Sequence, residues 1–203
     1  MINQNPRLEL IIGTMFSGKS TELIRRLNRY EAAGKTIQIF KPAKGDRYDD
    51  PLNVCSHDGA KKGVITISGV EQLYSQLDFG KQILGIEEIQ FLESSILDVC
   101  EEFMSKGGIV VIAGLLKNFR DEYFKFKDKK ADMSELVLRA DDITYFNALC
   151  TYMDNGQRCN RDAARVQRYI DGQIAPYDSP EVLVGGKEAY SPRCREHYVK
   201  YTK

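Results

Sequence analysis

The chain has 203 residues, with 29 Lys or Arg against 29 Asp or Glu, so its formal net charge is zero. That balance argues against a dedicated nucleic-acid binder, which carries a basic excess. No apolar run approaches the roughly 18 residues a membrane span needs, which argues against a membrane protein. The length suits one good core, or one core with a small appendage. There are five cysteines, an odd number with three in the last third, which fits a reducing compartment and metal ligation better than disulfides. The opening Met1-Ile-Asn-Gln-Asn-Pro-Arg7 lacks the basic and apolar regions of a secretory leader, so the cytoplasm is the expected location.

Leu8 to Ile12 is a short apolar run suited to a buried strand. Gly13, Thr14, Met15, Phe16, Ser17, Gly18, Lys19 and Ser20 then read G-T-M-F-S-G-K-S, the G-x-x-x-x-G-K-S/T phosphate-binding loop. Thr21 to Tyr30 has helical spacing, with Leu23, Ile24, Leu27 and Tyr30 on one side. Strand, glycine loop and helix gather backbone N–H groups and a helix N-terminus at one point, which favours anions. Lys19 is expected to reach the outer phosphates of a nucleotide such as ATP, and Ser20 to meet Mg²⁺.

Thr36 to Phe40 alternates and reads as a second strand, after a helix stop at Gly34. Lys41 to Gly63 is polar and rich in turn formers, a long loop of the functional or disordered kind. Val64 to Ile67 reads as a strand and Val70 to Leu77 as an amphipathic helix. Gln82 to Ile86 is the next apolar strand, and it runs into Glu87, Glu88, Ile89 and Gln90, which are expected beside the bound nucleotide. Paired glutamates usually mark a solvated surface. At a strand tip behind a phosphate loop they are the Walker B pattern, in which one carboxylate helps hold Mg²⁺ and the other acts on the nucleophile. If strand geometry continues, the two side chains face opposite ways.

Ile96 to Met104 reads as a helix, Ile109 to Gly114 as a strand, Leu115 to Lys130 as a charged and aromatic loop, Met133 to Arg139 as a helix and Ile143 to Phe146 as the last core strand. Strands alternating with helices give an α/β fold with a parallel sheet, whose ligands sit at the carboxyl ends of the strands. The composition then shifts. Residues 1–147 are expected to form the phosphate-loop core and residues 148–203 a small β lobe. In that lobe Arg165 to Ile170 and Gln173 to Ala175 read as a hairpin turned by Asp171-Gly172, and Glu181 to Val184 as a strand. Cys150 and Cys159 are separated by eight residues, and Cys194 and His197 by two. Four such ligands from two segments suit a structural, tetrahedral Zn²⁺ site, and a lobe of about 50 residues has little core without a staple of this kind. Cys100 falls within a helix and reads as core.

Taken in order, Gly-x-Met-Phe-Ser-Gly-Lys-Ser, Asp46-Arg47-Tyr48, Ser56-His57-Asp58, Glu87-Glu88-x-Gln90-Phe91, Ala113-Gly114-Leu115, Asn118-Phe119-Arg120, the paired metal ligands and Gly185-Gly186 with Tyr190 and Cys194-Arg195 are together distinctive. The chain resembles the cytosolic, zinc-containing thymidine kinase family from about Leu8 to Tyr198. The resemblance implies a RecA-like core with a zinc lobe, ATP-dependent phosphorylation of thymidine or deoxyuridine at the 5′-hydroxyl, a homotetramer, and a lasso loop that closes over the nucleoside. It further implies Glu88 as the general base, Lys19 and Arg47 beside the transferred phosphoryl, and Phe119 stacked on the pyrimidine. Met15, Leu115, Val166, Val182, Leu183, Val184, Gly185 and Tyr190 complete the nucleoside site it implies. Nucleic acid and membrane are not among the partners it implies.

Several positions depart from the family pattern. Glu87 stands where Asp is usual, Gly45 and Leu116 replace further aspartates, Val166 takes the place of a threonine, and the usual Cys-x-x-Cys is opened to Cys150-x₈-Cys159. These bear on turnover and base preference more than on fold. Two alternatives stay open on sequence: an ATPase that binds nucleic acid through the Cys/His lobe, and a kinase homologue with altered or lost activity.

Overall fold

The computed structural model describes residues 5–43, 52–55, 61–183, 186 and 188–201. Its first strand, β1 (Arg7–Gly13), runs into the phosphate loop, and α1 (Lys19–Ala32) follows. The helix starts at Lys19, two residues before the apolar periodicity of the sequence begins, because the loop's own lysine and serine form its first turn. β2 (Ile37–Pro42), β3 (Asn53–Cys55), β4 (Lys61–Gly63), β5 (Ile65–Ile67), α2 (Val70–Gln76), β6 (Ile83–Ile86), a 3-10 turn (Ile89–Phe91), α3 (Ile96–Ser105), β7 (Ile109–Leu115), α4 (Ser134–Arg139) and β8 (Asp142–Phe146) complete the first part.

Six of these strands form one sheet in the order β5-β2-β6-β7-β1-β8, every neighbouring pair parallel. The period of two along each strand splits the core into two layers. Leu8, Leu10, Ile12, Leu84, Ile86, Val110 and Ile112 face one side with Val99, Cys100 and Phe103 of α3, Leu73 of α2 and Leu136 of α4. Ile11, Ile39, Ile83, Val111 and Ala113 face the other side with Leu23 and Leu27 of α1. Cys100 is buried in the first layer, as its place in a helix suggested, and burial pushes its thiol up to about 12.

Register puts the chemistry at one edge. Gly13 is level with both Leu115 on β7 and Phe146 on β8, so three strands end together there. Gly13 must be glycine: a Cβ on it would lie 2.1 Å from the Phe146 carbonyl oxygen. Among the described residues no helix is long and apolar enough to cross a membrane.

The second part is a set of small β units: β9 (Ala148–Leu149), β10 (Met153–Asp154), β11 (Gln157–Arg158), β12 (Asp162–Ala163), β13 (Arg165–Ile170), β14 (Gln173–Ile174) and β15 (Tyr190–Arg193). β13 pairs antiparallel with β14 around Asp171 and Gly172, both at positive φ, as a two-residue hairpin requires. β15, which the sequence reading did not find, covers the other edge of β13.

Two expectations are corrected. Glu181, Val182 and Leu183 form no strand. Pro180 offers no N–H, and carbonyls along the segment are taken by side chains rather than by a neighbouring strand. The Lys41–Gly63 stretch is not one loop: Lys41 and Pro42 extend β2, and β3 pairs antiparallel with β4. Gly45, Asp46, Arg47, Ser56, His57, Asp58, Val184 and Gly185 lie outside the described residues.

Candidate active site

The phosphate loop wraps round its own carbonyl. Thr14 O accepts from Ser17 Oγ at 2.8 Å and from Lys19 Nζ at 2.6 Å. Gly18, at φ 89, caps α1, and Phe16 also takes a positive φ of 64, unusual for a bulky residue. That backbone turns Met15 and Phe16 away from the loop's anion-facing side, against Phe119, Val166 and Tyr190. The Thr14 hydroxyl donates to Ala163 O at 3.0 Å and accepts from Ala148 N at 3.3 Å, tying the loop to β12 and β9.

The two glutamates part company, though not through strand alternation. β6 ends at Ile86. Glu87 points to the loop, where Ser20 Oγ donates to its Oε1 at 2.5 Å. Glu88 is left-handed at φ 52 and lines a cavity of about 590 Å³, within the usual size range of a small-molecule site. Gln90, 1% exposed, fixes it there. Leu115 N donates to Gln90 Oε1 at 3.1 Å, which settles the amide's orientation and turns its NH₂ group onto the Glu88 carboxylate. Gln90 fits because position 114 is glycine; a Cβ there would meet Gln90 Oε1 at 2.8 Å.

The same cavity is lined by Met15, Leu115, Phe119, Val166, Val182, Leu183 and Tyr190. The structure thus gathers the described members of the nucleoside set around Glu88 and Gln90. Gly13, Thr14, Phe16, Ser17, Gly18, Lys19, Ser20, Glu87 and Ile89 stand on the elements beside it. Leu116, where an aspartate is usual, is turned into the apolar core. Phe119 is 2% exposed; the Tyr201 ring meets it edge-on at 5.2 Å, and Arg120 and Arg168 lie over it at 4.4 and 4.8 Å.

Several residues here escaped the sequence reading. Arg120 and Asn118 were inside a recognised triplet but had no role. Arg120 Nε donates to Tyr177 O at 2.6 Å, and Asn118 Nδ2 to a Glu181 carboxylate oxygen at 2.9 Å. Tyr198, next to His197, donates its hydroxyl to Phe119 O at 2.8 Å. Gln90 is expected from sequence beside the nucleotide, but its hold on Glu88 is not legible there, because that depends on strand β7.

Cys150, Cys159, Cys194 and His197 converge, their ligand atoms all within 4.8 Å of one another. His197 Nδ1 lies 3.7 Å from Cys150 Sγ and 3.5 Å from Cys194 Sγ. A tetrahedron with Zn–S near 2.3 Å and Zn–N near 2.05 Å has edges of about 3.6–3.8 Å, so the donor set fits zinc. The wide first spacing closes because residues between the cysteines form the β10–β11 hairpin. Asn155 and Gly156, both at positive φ, make its turn. The backbone N–H and guanidinium of Arg161 draw the Cys159 thiol down to about 6, towards the thiolate a metal needs. Tyr152 stacks on the His197 ring at 4.0 Å.

The phosphate loop at the sheet's carboxyl edge, with a second acidic segment and an apolar cavity beside it, defines a P-loop nucleotide-binding protein carrying a Cys₃His lobe. The family model described as "Thymidine kinase" matches residues 6–198. A thymidine kinase of Thermococcus kodakarensis (strain ATCC BAA-918 / JCM 12380 / KOD1) is 38% identical over 197 residues, which cover 95% of this chain and 93% of that protein. The chain belongs to the thymidine kinase family, and it is a nucleoside-phosphorylating enzyme.

Proposed function

We propose that the chain transfers the γ-phosphoryl group of ATP to the 5′-hydroxyl of thymidine or deoxyuridine, yielding the monophosphate and ADP, as a salvage enzyme of the cytoplasm. The observation that carries this is the position of Glu88, which lines one cavity with Met15, Phe119, Val166 and Tyr190 while its neighbour Glu87 bonds the phosphate loop's Ser20. A nucleoside in that cavity places its hydroxyl between a carboxylate and the phosphate loop.

Phosphoryl transfer is mainly positioning and electrostatics. The loop's backbone N–H groups and the N-terminus of α1 receive the phosphates, and Lys19 offsets charge on the moving group. Arg47 serves the same end by resemblance. Ser20 and Glu87 are hard oxygen donors already in contact, which suits Mg²⁺; when bound, that ion neutralises charge on the outer phosphates. The 5′-oxygen forms the new P–O bond as the bond to the ADP oxygen breaks. Glu88 takes the hydroxyl proton, a role generally worth roughly 10²–10⁴-fold. Gln90 holds the Glu88 carboxylate, and Ile89 stands with it beside the nucleotide. By resemblance, Val182, Leu183, Val184 and Gly185 are the lasso residues that close over the base, and Val166 borders the base.

Cys150, Cys159, Cys194 and His197 would hold a structural Zn²⁺, which would cross-link β9, β11 and the end of β15. We further propose that residues 1–147 and 148–203 act as core and lobe, and that the enzyme assembles as a homotetramer. The test is thymidine-dependent release of ADP from ATP, with DNA in place of thymidine as the second arm. Stimulation by DNA and not by thymidine would overturn the proposal in favour of a nucleic-acid-dependent ATPase.

A further inference from the structure

Arg168 is 1% exposed, and no carboxylate among the described residues pairs with it. Its Nε has no hydrogen-bond partner among them. The contacts of Arg168 among the described residues are to a carbonyl and to aromatic rings, which points to a role in positioning. Nη1 donates to the Pro180 carbonyl, and the guanidinium carbon lies 4.8 Å from the Phe119 ring centre and 5.8 Å from that of Tyr190. Phe119 and Tyr190 line the cavity, as do Pro180, Glu181, Val182 and Leu183. Arg168 is therefore the buried link between the two rings and that segment.

Arg120 repeats the arrangement one step along the chain. It lies 4.4 Å from the Phe119 ring centre, with Nε on Tyr177 O and Nη2 on Ser179 O. Tyr190 completes the series by donating to Leu183 O at 2.9 Å. The carbonyls of residues 177, 179, 180 and 183 are thus held by side chains that themselves pack on or around Phe119.

We propose that Arg168, supported by Arg120, is a positioning residue that sets nucleoside affinity by fixing the distance between the Phe119–Tyr190 wall and the 180–183 wall. The inference rests on the nucleoside reading of this cavity. A flat base needs carbon contacts near 3.5–4.0 Å on each face, and a gap of only about 0.5–1 Å forfeits a quarter to a half of the dispersion attraction. Small wall movements therefore register in binding. The planar fork is essential, because one group must bond a carbonyl in its plane while presenting flat faces to rings; the compact ammonium of lysine keeps the charge and loses that geometry.

The experiment is steady-state kinetics on the full chain for wild type, Arg168→Lys, Arg168→Met and Arg120→Lys, with thermal midpoints measured with and without thymidine. Both Arg168 variants are expected to raise the KM for thymidine roughly tenfold or more, with kcat changed by less than about threefold and the KM for ATP unmoved. Arg120→Lys is expected to show the same split to a smaller degree, and being less buried it guards against a misfolded Arg168 variant. Thymidine should raise the midpoint of wild type more than that of any variant. An unchanged thymidine KM in folded variants overturns the proposal, as does a parallel loss in both KM values and kcat. Absence of thymidine-dependent turnover in wild type overturns the nucleoside reading and this inference together; wild-type turnover with unaffected variants overturns this inference alone.

Discussion

Ser20, on the first turn of α1, donates a 2.5 Å hydrogen bond to Glu87 at the tip of β6, while Glu88, the next residue, lines the cavity. Glu88 itself takes a left-handed backbone conformation. Two adjacent carboxylates of equal charge thereby serve different partners. Glu88→Gln is expected to keep ATP and thymidine binding while lowering kcat by roughly 10² or more. Glu87→Gln is expected to weaken activity in a way that added Mg²⁺ partly restores. Measuring kcat, both KM values and the Mg²⁺ dependence decides it; a Glu88→Gln enzyme with most of its kcat intact would show that the proton leaves by another route.

Gly114 tests how Glu88 is held. Gly114→Ala drives a methyl group towards Gln90 Oε1 and so disturbs the amide that fixes Glu88. We expect kcat to fall by about tenfold with little change in the KM for ATP. Equal kcat values for Gly114→Ala and wild type would show that Glu88 does not depend on Gln90.

Lys19→Ala removes the cation of the phosphate loop. Turnover is expected to drop by at least about 10³-fold with the circular dichroism spectrum unchanged. The Lys19 bond to Thr14 O means that the thermal midpoint should fall by a few degrees as well. Near-normal activity in the folded variant would remove the phosphate-loop reading.

The Cys₃His cluster is expected to bring one zinc per chain through purification, measured by elemental analysis. Cys159→Ser should lower metal content and thermal midpoint together. Tyr152, stacked on His197, covers one side of a ligand. Tyr152→Ala is therefore expected to speed release of zinc to a chromogenic chelator severalfold without changing the initial stoichiometry. A metal-free, equally stable wild type would refute the site.

Acid stability follows from α1 and β1. Hydrogen bonding from Arg25, opposed by burial and reinforced by Arg26, lowers Glu22 from 4.5 to about 2. Burial raises Glu9, but Tyr30, Arg7 and Arg26 outweigh it and leave that carboxyl below its ordinary value. Both groups bind protons more weakly folded than unfolded, so their contribution is present above about 4.5; that of Glu22 disappears as pH falls towards about 2, and that of Glu9 is lost in the same direction. The thermal midpoint should decline across that window. Glu22→Gln should start lower at neutral pH and decline less steeply; parallel curves for the two proteins would contradict this.

The sequence alone determined the sheet strands, the phosphate loop and the acidic pair, because each depends on local pattern, and it singled out the four residues that the fold brings together as a candidate metal site. Apolar runs, glycine spacing and the Asp171-Gly172 turn act over a few residues. Asn155-Gly156 carried an equally plain hairpin signal, and it explains how Cys150 and Cys159 meet across eight intervening residues. The direction of Glu88 was decided by the tertiary structure, since its left-handed turn is held by Gln90 and through it by β7. The absence of a strand at Glu181–Leu183 was decided the same way, by Arg168 and Tyr190 taking carbonyls from far along or across the fold. Arg168 itself, a charged residue in an alternating strand, reads in sequence as a solvent-facing position. Its burial between aromatic rings comes from packing partners up to 49 residues away in the chain, Phe119 and Tyr190 among them, and no local pattern encodes a contact at that separation.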